Sequence, residues 1–124
     1  MKISFDFDGC LSQKHIQILA KSLIDKGHEV WIVTSRLDNL KRLQYADLSS
    51  NEDVFATAEK IGIPMHRVGF TNQQPKWMLL NPGRFDIHID DSQDELKRLA
   101  YYNLVKGVHI DEIDKLELIL NTTE

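Results

Sequence analysis

The chain has 124 residues, enough for one domain built around a single core. Its composition is 42% hydrophobic and 27% charged, with 6 Gly and 3 Pro, which excludes a disordered or low-complexity chain. Lys and Arg number 15 against 19 Asp and Glu, a net charge of −4, so no global positive field draws nucleic acid to it.

Ile3, Phe5 and Phe7 alternate with polar residues, the periodicity of a strand. Two carboxylates, Asp6 and Asp8, close that strand before Gly9, where the chain must turn. If the strand runs regularly through Asp8, both carboxylates point to one side of the sheet. Two like charges there repel unless a cation sits between them, and hard oxygen ligands suit Mg²⁺. Ile16, Leu19, Ala20, Leu23 and Ile24 then form the stripe of a helix with one buried face, stopped at Gly27. Val30-Trp31-Ile32-Val33 is a continuous apolar run, the mark of a strand covered on both faces, and it ends in Thr34-Ser35-Arg36.

Residues 37–51 form a connection long for a compact α/β unit, and such connections are often functional. Leu37, Leu40 and Leu43 suggest a surface helix packed through those leucines, while Lys41, Arg42 and Tyr45 offer two cations and a ring for a substrate. The segment reads either as scaffold or as a substrate loop or mini-lid. Ser49 to Asp53 starts a helix buried through Val54, Ala58 and Ile61 and ended by Gly62. A short strand spans His66 to Phe70, and a turn leads to a short helix, Lys76 to Leu80.

Phe85 to Ile89 alternates as a strand and ends in Asp90-Asp91. Ser92 and Glu95 have the spacing of a capping box for a helix whose inner face is Leu96, Leu99 and Ala100. Val105 to Ile110 supplies a last strand, and Asp111 caps a final helix buried through Ile113, Leu116 and Leu120. Residues 121–124 have the composition of a loose end.

Strands alternating with helices imply a doubly wound, mostly parallel five-stranded sheet in three layers, α/β/α, of Rossmann type, as one domain over 1–124. In such folds ligands bind beyond the carboxyl ends of the strands, near the point where strand order reverses. Asp6 and Asp8, Thr34-Ser35-Arg36 and Asp90-Asp91 all fall at such ends, and Lys76 opens the helix after another. The carboxylates can hold Mg²⁺, Thr34, Ser35 and Lys76 can donate to phosphoryl oxygens, and one Asp can serve as nucleophile while another moves the proton.

Asp6-Phe7-Asp8-Gly9, then Thr34, then Lys76, then Asp90-Asp91 resembles, in order and spacing, the four motifs of the haloacid dehalogenase-like (HAD) phosphohydrolase superfamily. The resemblance runs from residue 3 to residue 95, about three quarters of the chain. It implies a phosphatase acting on a phosphomonoester through an aspartyl-phosphate on Asp6, with Asp8 as general acid and then base. It also implies phosphoryl binding by Thr34 and Lys76, and Mg²⁺ held by Asp6, the main-chain carbonyl of Asp8 and Asp91, with Asp90 close behind. Cys10 stands where the family commonly has threonine. The connector after Asp8 is too short for a cap domain, so the resemblance is to a small capless member. Its substrate would be a small-molecule or macromolecular phosphate, with nucleic acid entering only as a substrate, contacted through Arg36, Lys41 and Arg42.

A catalytically silent Mg²⁺-binding or interaction protein is the main alternative. A receiver-type phosphoacceptor is weaker, because there the acidic pair follows the first strand. The single cysteine, Cys10, fits a reducing compartment, and nothing approaches the roughly 20 apolar residues of a membrane span. Strand-forming residues from position 2 leave no room for a signal peptide, so the expected location is cytoplasmic. His15, His28, His66, His88 and His109 lack metal-ligand spacing, and Trp31 and Trp77 read as packing residues.

Overall fold

Five short strands carry the fold in the computed structural model, which describes residues 1–47, 49–102 and 105–122. They are β1 (Lys2–Phe5), β2 (Glu29–Thr34), β3 (Val68–Phe70), β4 (Ile87–Asp90) and β5 (Lys106–His109). All lie in one sheet of order β3-β2-β1-β4-β5, and every neighbouring pair is parallel. Parallel pairing follows from the helical crossovers, α1 (Lys14–Asp25), α2 (Asn39–Gln44) with α3 (Glu52–Ile61), α4 (Trp77–Leu80) and α5 (Gln93–Tyr102), with α6 (Asp114–Thr122) closing the chain. The chain works outward from β1 to β3 and then returns to β4. Strand order therefore reverses between β1 and β4, where an α/β sheet presents its ligand crevice.

Alternation along the strands splits the apolar residues between two cores. Ile3, Phe5, Ile87 and Ile89 meet Ile16, Ala20 and Leu23 of α1, Val54 and Ala58 of α3, and Leu116 and Leu120 of α6. On the other face Val33 packs with Leu80 of α4 and Leu99 of α5, together with Phe85 and Val105. Trp31 covers this second core and meets Phe85 edge-on at 5.3 Å, and Trp77 stacks on Tyr102 at 4.1 Å, so both tryptophans are packing residues. The architecture is α/β with helices on both faces of an all-parallel sheet, compatible with a Rossmann-like three-layer fold. Among the described residues no helix is long and apolar enough to cross a membrane.

Several local expectations change. Met65–Arg67 forms a 3-10 turn, so β3 starts at Val68. Ala100 is exposed, which leaves Leu99 as the buried anchor of α5 with Leu96 beside it. A 3-10 turn at Ile110–Glu112 precedes α6, and the Asp111 N–H is itself capped by His109. The anticipated loose end is helical through Thr122, while residues 123 and 124 lie outside the described set. Leu40 and Leu43 are 63% and 78% exposed, so α2 is not a helix packed through its leucines.

Candidate active site

The strand that carries the first two carboxylates stops at Phe5. Asp6 remains extended (φ −63°, ψ 157°) and its N–H donates to the Ile89 carbonyl at 2.9 Å, which keeps it beside β4. The chain then coils through Phe7–Leu11, with Gly9 at φ +70°. Only glycine takes that angle freely, and a Cβ there would lie 2.2 Å from Asp91 Oδ2. The turn separates the two carboxylates expected on one side. Asp6 is 6% exposed, whereas Asp8 is exposed and belongs to Arg36.

Arg36 grips Asp8 with two bonds, Nε to Oδ2 at 2.8 Å and Nη2 to Oδ1 at 2.6 Å. The same guanidinium grips Asp53 of α3 through Nη1 at 2.7 Å and Nη2 at 2.9 Å, with its plane near the Phe7 ring at 5.0 Å. Such bidentate pairing is geometrically specific to arginine. The bond to Arg36 holds Asp53 below its ordinary value, against the opposing effect of burial. Arg36 is thus a strut across the mouth of the site.

At the centre stands Lys76, 2% exposed. Its Nζ donates to Asp6 Oδ1 at 2.7 Å and to Asp90 Oδ2 at 2.6 Å, bridging the carboxyl ends of β1 and β4. Its own N–H lies 3.3 Å from Glu95 Oε2, which pins the start of α4 to α5. Only half of the anticipated capping box forms as a result. Ser92 Oγ accepts from the Glu95 N–H at 3.3 Å, but the Glu95 carboxylate has gone to Lys76, and the Ser92 N–H donates to Asp90 Oδ1 at 3.0 Å. Asp91 is exposed and completes an acidic group in which one oxygen each of Asp6, Asp90 and Asp91 lie within 4.8 Å of one another. Asp8 offers no carboxylate to that group.

Burial opposes every charge here, and the partners decide which charges survive. Burial alone lowers Lys76, but the Asp6 and Asp90 carboxylates overcome it and raise the ammonium above its ordinary value. Asp90, despite burial, is held well below the carboxylate range by hydrogen bonds from His88 and Lys76 and by the charge of the Lys76 ammonium. Asp6 loses that competition. Burial pushes it up to about 8 against the pull of Lys76, with Asp90 adding to the rise. The donor set suits a small hard cation: all oxygen, clustered, and short of positive charge. A cation there would favour ionised Asp6.

Thr34 is buried at the end of β2, and its Oγ1 accepts from the Arg36 N–H at 3.3 Å. Ser35 is exposed. The N–H groups of Thr71, Asn72 and Gln73 donate to the carbonyls of Thr34, Arg36 and Ser35, lacing the loop that leads to Lys76 onto the end of β2. Cys10 is buried, and burial together with the three carboxylates raises its thiol, so it is inert beside the site.

The two cations of segment 37–51 have different fates. Lys41 lines an open concavity of about 580 Å³ with Tyr45, Asn72 and Gln73. Arg42 turns inward, donating to the Leu37 carbonyl at 3.1 Å, to Asn51 Oδ1 at 3.0 Å, and to Ser49 and Asp47. Arg42→Ala should therefore loosen the segment by about 1.5–3 kcal/mol, the usual worth of hydrogen bonds to a charged group. Denaturant unfolding would measure it, and a change in Michaelis constant at constant stability would return Arg42 to substrate contact.

In the sequence His88 has no metal-ligand spacing, and no pattern singles out Ser4 or Asp53. His88 precedes the acidic pair by two residues, the strand period, and that spacing was the available signal. No family model, curated protein or solved structure matches this chain.

Proposed function

We propose that this chain is a small capless phosphohydrolase of the HAD type, hydrolysing a phosphomonoester with Mg²⁺ held by Asp6, Asp90 and Asp91. The observation that carries this is the buried Lys76 bridging Asp6 and Asp90 at the strand-order reversal, with Asp91 beside them. A carboxylate nucleophile next to a fixed ammonium matches what phosphoryl transfer needs, an attacking oxygen and neutralisation of equatorial charge. When bound, Mg²⁺ neutralises phosphoryl oxygens and orients them.

In this mechanism Asp6 attacks phosphorus as the bond to the leaving oxygen breaks, and Asp8, released from Arg36 and protonated, gives that oxygen its proton. Water then attacks the aspartyl phosphate, Asp8 takes the water's proton, and inorganic phosphate leaves with Asp6 regenerated. Lys76 stays with the phosphoryl oxygens throughout, while Thr34 and Ser35 offer hydroxyl donors at the end of β2. Asp8 must leave Arg36 for part of the cycle, which frees the guanidinium to meet a substrate phosphate.

The Arg36 clamp also favours a second reading, a silent relative in which Asp8 is a structural anchor. One assay separates them. Purified protein should release inorganic phosphate from an aryl phosphate only with Mg²⁺ present, and Asp91→Ala should weaken the Mg²⁺ dependence by removing a ligand. No release at any Mg²⁺ concentration, across small and macromolecular phosphates, would leave the silent reading standing.

A further inference from the structure

Ser4 of β1 and His88 of β4 are direct partners across the parallel pair, and both are fully buried. Asp6 follows Ser4 by two residues and Asp90 follows His88 by two, so the strand period carries both carboxylates beyond the same sheet face. Ser4 Oγ lies 2.7 Å from His88 Nδ1, and His88 Nε2 lies 2.8 Å from Asp90 Oδ2. We propose that Ser4 and His88 are a positioning pair that fixes the Asp90 carboxylate, and through it the Lys76 ammonium, for phosphoryl transfer. The inference rests on the phosphohydrolase reading above.

The fully buried His88 ring faces an acceptor-only carboxylate on one nitrogen and a hydroxyl on the other, and as a neutral imidazole it has one ring proton to place. Asp90 is ionised and can only accept, so that proton sits on Nε2 and Nδ1 must accept from Ser4. The Ser4 hydroxyl has a second acceptor, the Ile87 carbonyl, but at 3.4 Å it is the poorer one. Asp90 then receives three donors from separate parts of the fold: His88 on its own strand, Lys76 at the start of α4, and the Ser92 N–H before α5. Such a carboxylate cannot rotate without breaking a bond. Without the His88 donor, Oδ2 is held by Lys76 alone, and the ammonium can drift toward Asp6.

Stability does not demand this pair. An apolar pair of similar volume would fill the same space, and buried polar networks are often no more stabilising than such packing. Orienting a functional carboxylate is what a hydroxyl–imidazole pair does that an apolar pair does not, and partners behind a functional group typically carry about 10–100-fold in activity.

Ring ¹⁵N NMR of the wild-type protein gives the first test. The proposal requires His88 protonated at Nε2 and unprotonated at Nδ1, and the opposite tautomer overturns it whatever the activity. Kinetics gives the second. His88→Phe should lower kcat about 10–100-fold with little change in KM, His88→Gln should recover most of the loss by restoring an N–H donor, and Ser4→Ala should fall in between. A loss that Gln fails to recover, or wild-type kcat in the Phe variant, assigns the pair to packing. If wild-type protein releases no phosphate, the phosphohydrolase reading fails separately. The tautomer, together with the Asp90 carboxyl ¹³C shift in Ser4→Ala and His88→Gln, still decides whether the pair sets Asp90: an unmoved shift overturns it.

Discussion

Asp6→Asn is expected to abolish Mg²⁺-dependent phosphate release by several powers of ten, the usual consequence of losing a covalent nucleophile. The same variant should melt at or above the wild-type temperature near neutral pH. Asn conserves the volume and keeps an oxygen to accept from Lys76, as Asp6 Oδ1 does at 2.7 Å. Burial pushes the Asp6 carboxyl up to about 8, so the fold holds the ionised form at a disadvantage. Removing that ionisation should relieve the disadvantage, a stability gained where function is lost. Phosphate release and a thermal melt on one preparation check both halves. Turnover within tenfold of wild type, with contamination excluded, would sink the nucleophile assignment.

The fold was legible because its signals are local and periodic. The stripe Ile16, Ala20, Leu23 becomes the buried face of α1, and the run ending at Val33 becomes a strand with cores on both sides. Where packing overrides local pattern, legibility stopped. Ala100 shares the helical phase of Leu96 and Leu99, yet it is exposed, and Leu40 and Leu43 lie outside both cores.

The site was legible to the extent that strand ends define it. Asp6, Thr34, Lys76 and Asp90 converge because parallel strands bring their carboxyl ends to one rim. The separation of Asp8 from Asp6 was not legible, since alternation presumes a regular strand, whereas the strand ends at Phe5 and the chain coils from Phe7. Nor could sequence pair Arg36 with Asp53, or Ser4 with His88, whose meeting depends on register across a sheet. Long-range polar pairs leave no periodic trace.

Lys76→Met is expected to lower stability by about 3–5 kcal/mol in the presence of a chelator, because it strands two buried carboxylates that shared one ammonium. Met fills the same channel, so the loss reads charge rather than volume. Its pH dependence follows from Asp6. The folded protein binds the Asp6 proton more tightly than the unfolded chain does, so Asp6's contribution falls as pH rises from 3.8 toward about 8. Without Lys76 the folded-state value moves higher still, so the fall continues to higher pH in the variant after it has levelled off in the wild type. The deficit relative to wild type should therefore be larger at pH 9 than at pH 5, where a protonated Asp6 can share its hydrogen with a neighbouring carboxylate. Asp90 resists that neutralisation, because His88 and the Ser92 N–H still hold it ionised. Added Mg²⁺ should recover part of the loss by taking the place of the missing charge among Asp6, Asp90 and Asp91, since a ligand bound only by the folded state stabilises it. Denaturant unfolding at both pH values, with chelator and then with Mg²⁺, measures each step. A deficit independent of pH would mean that Lys76 serves Asp90 alone, and no response to Mg²⁺ would remove the cation from the acidic group.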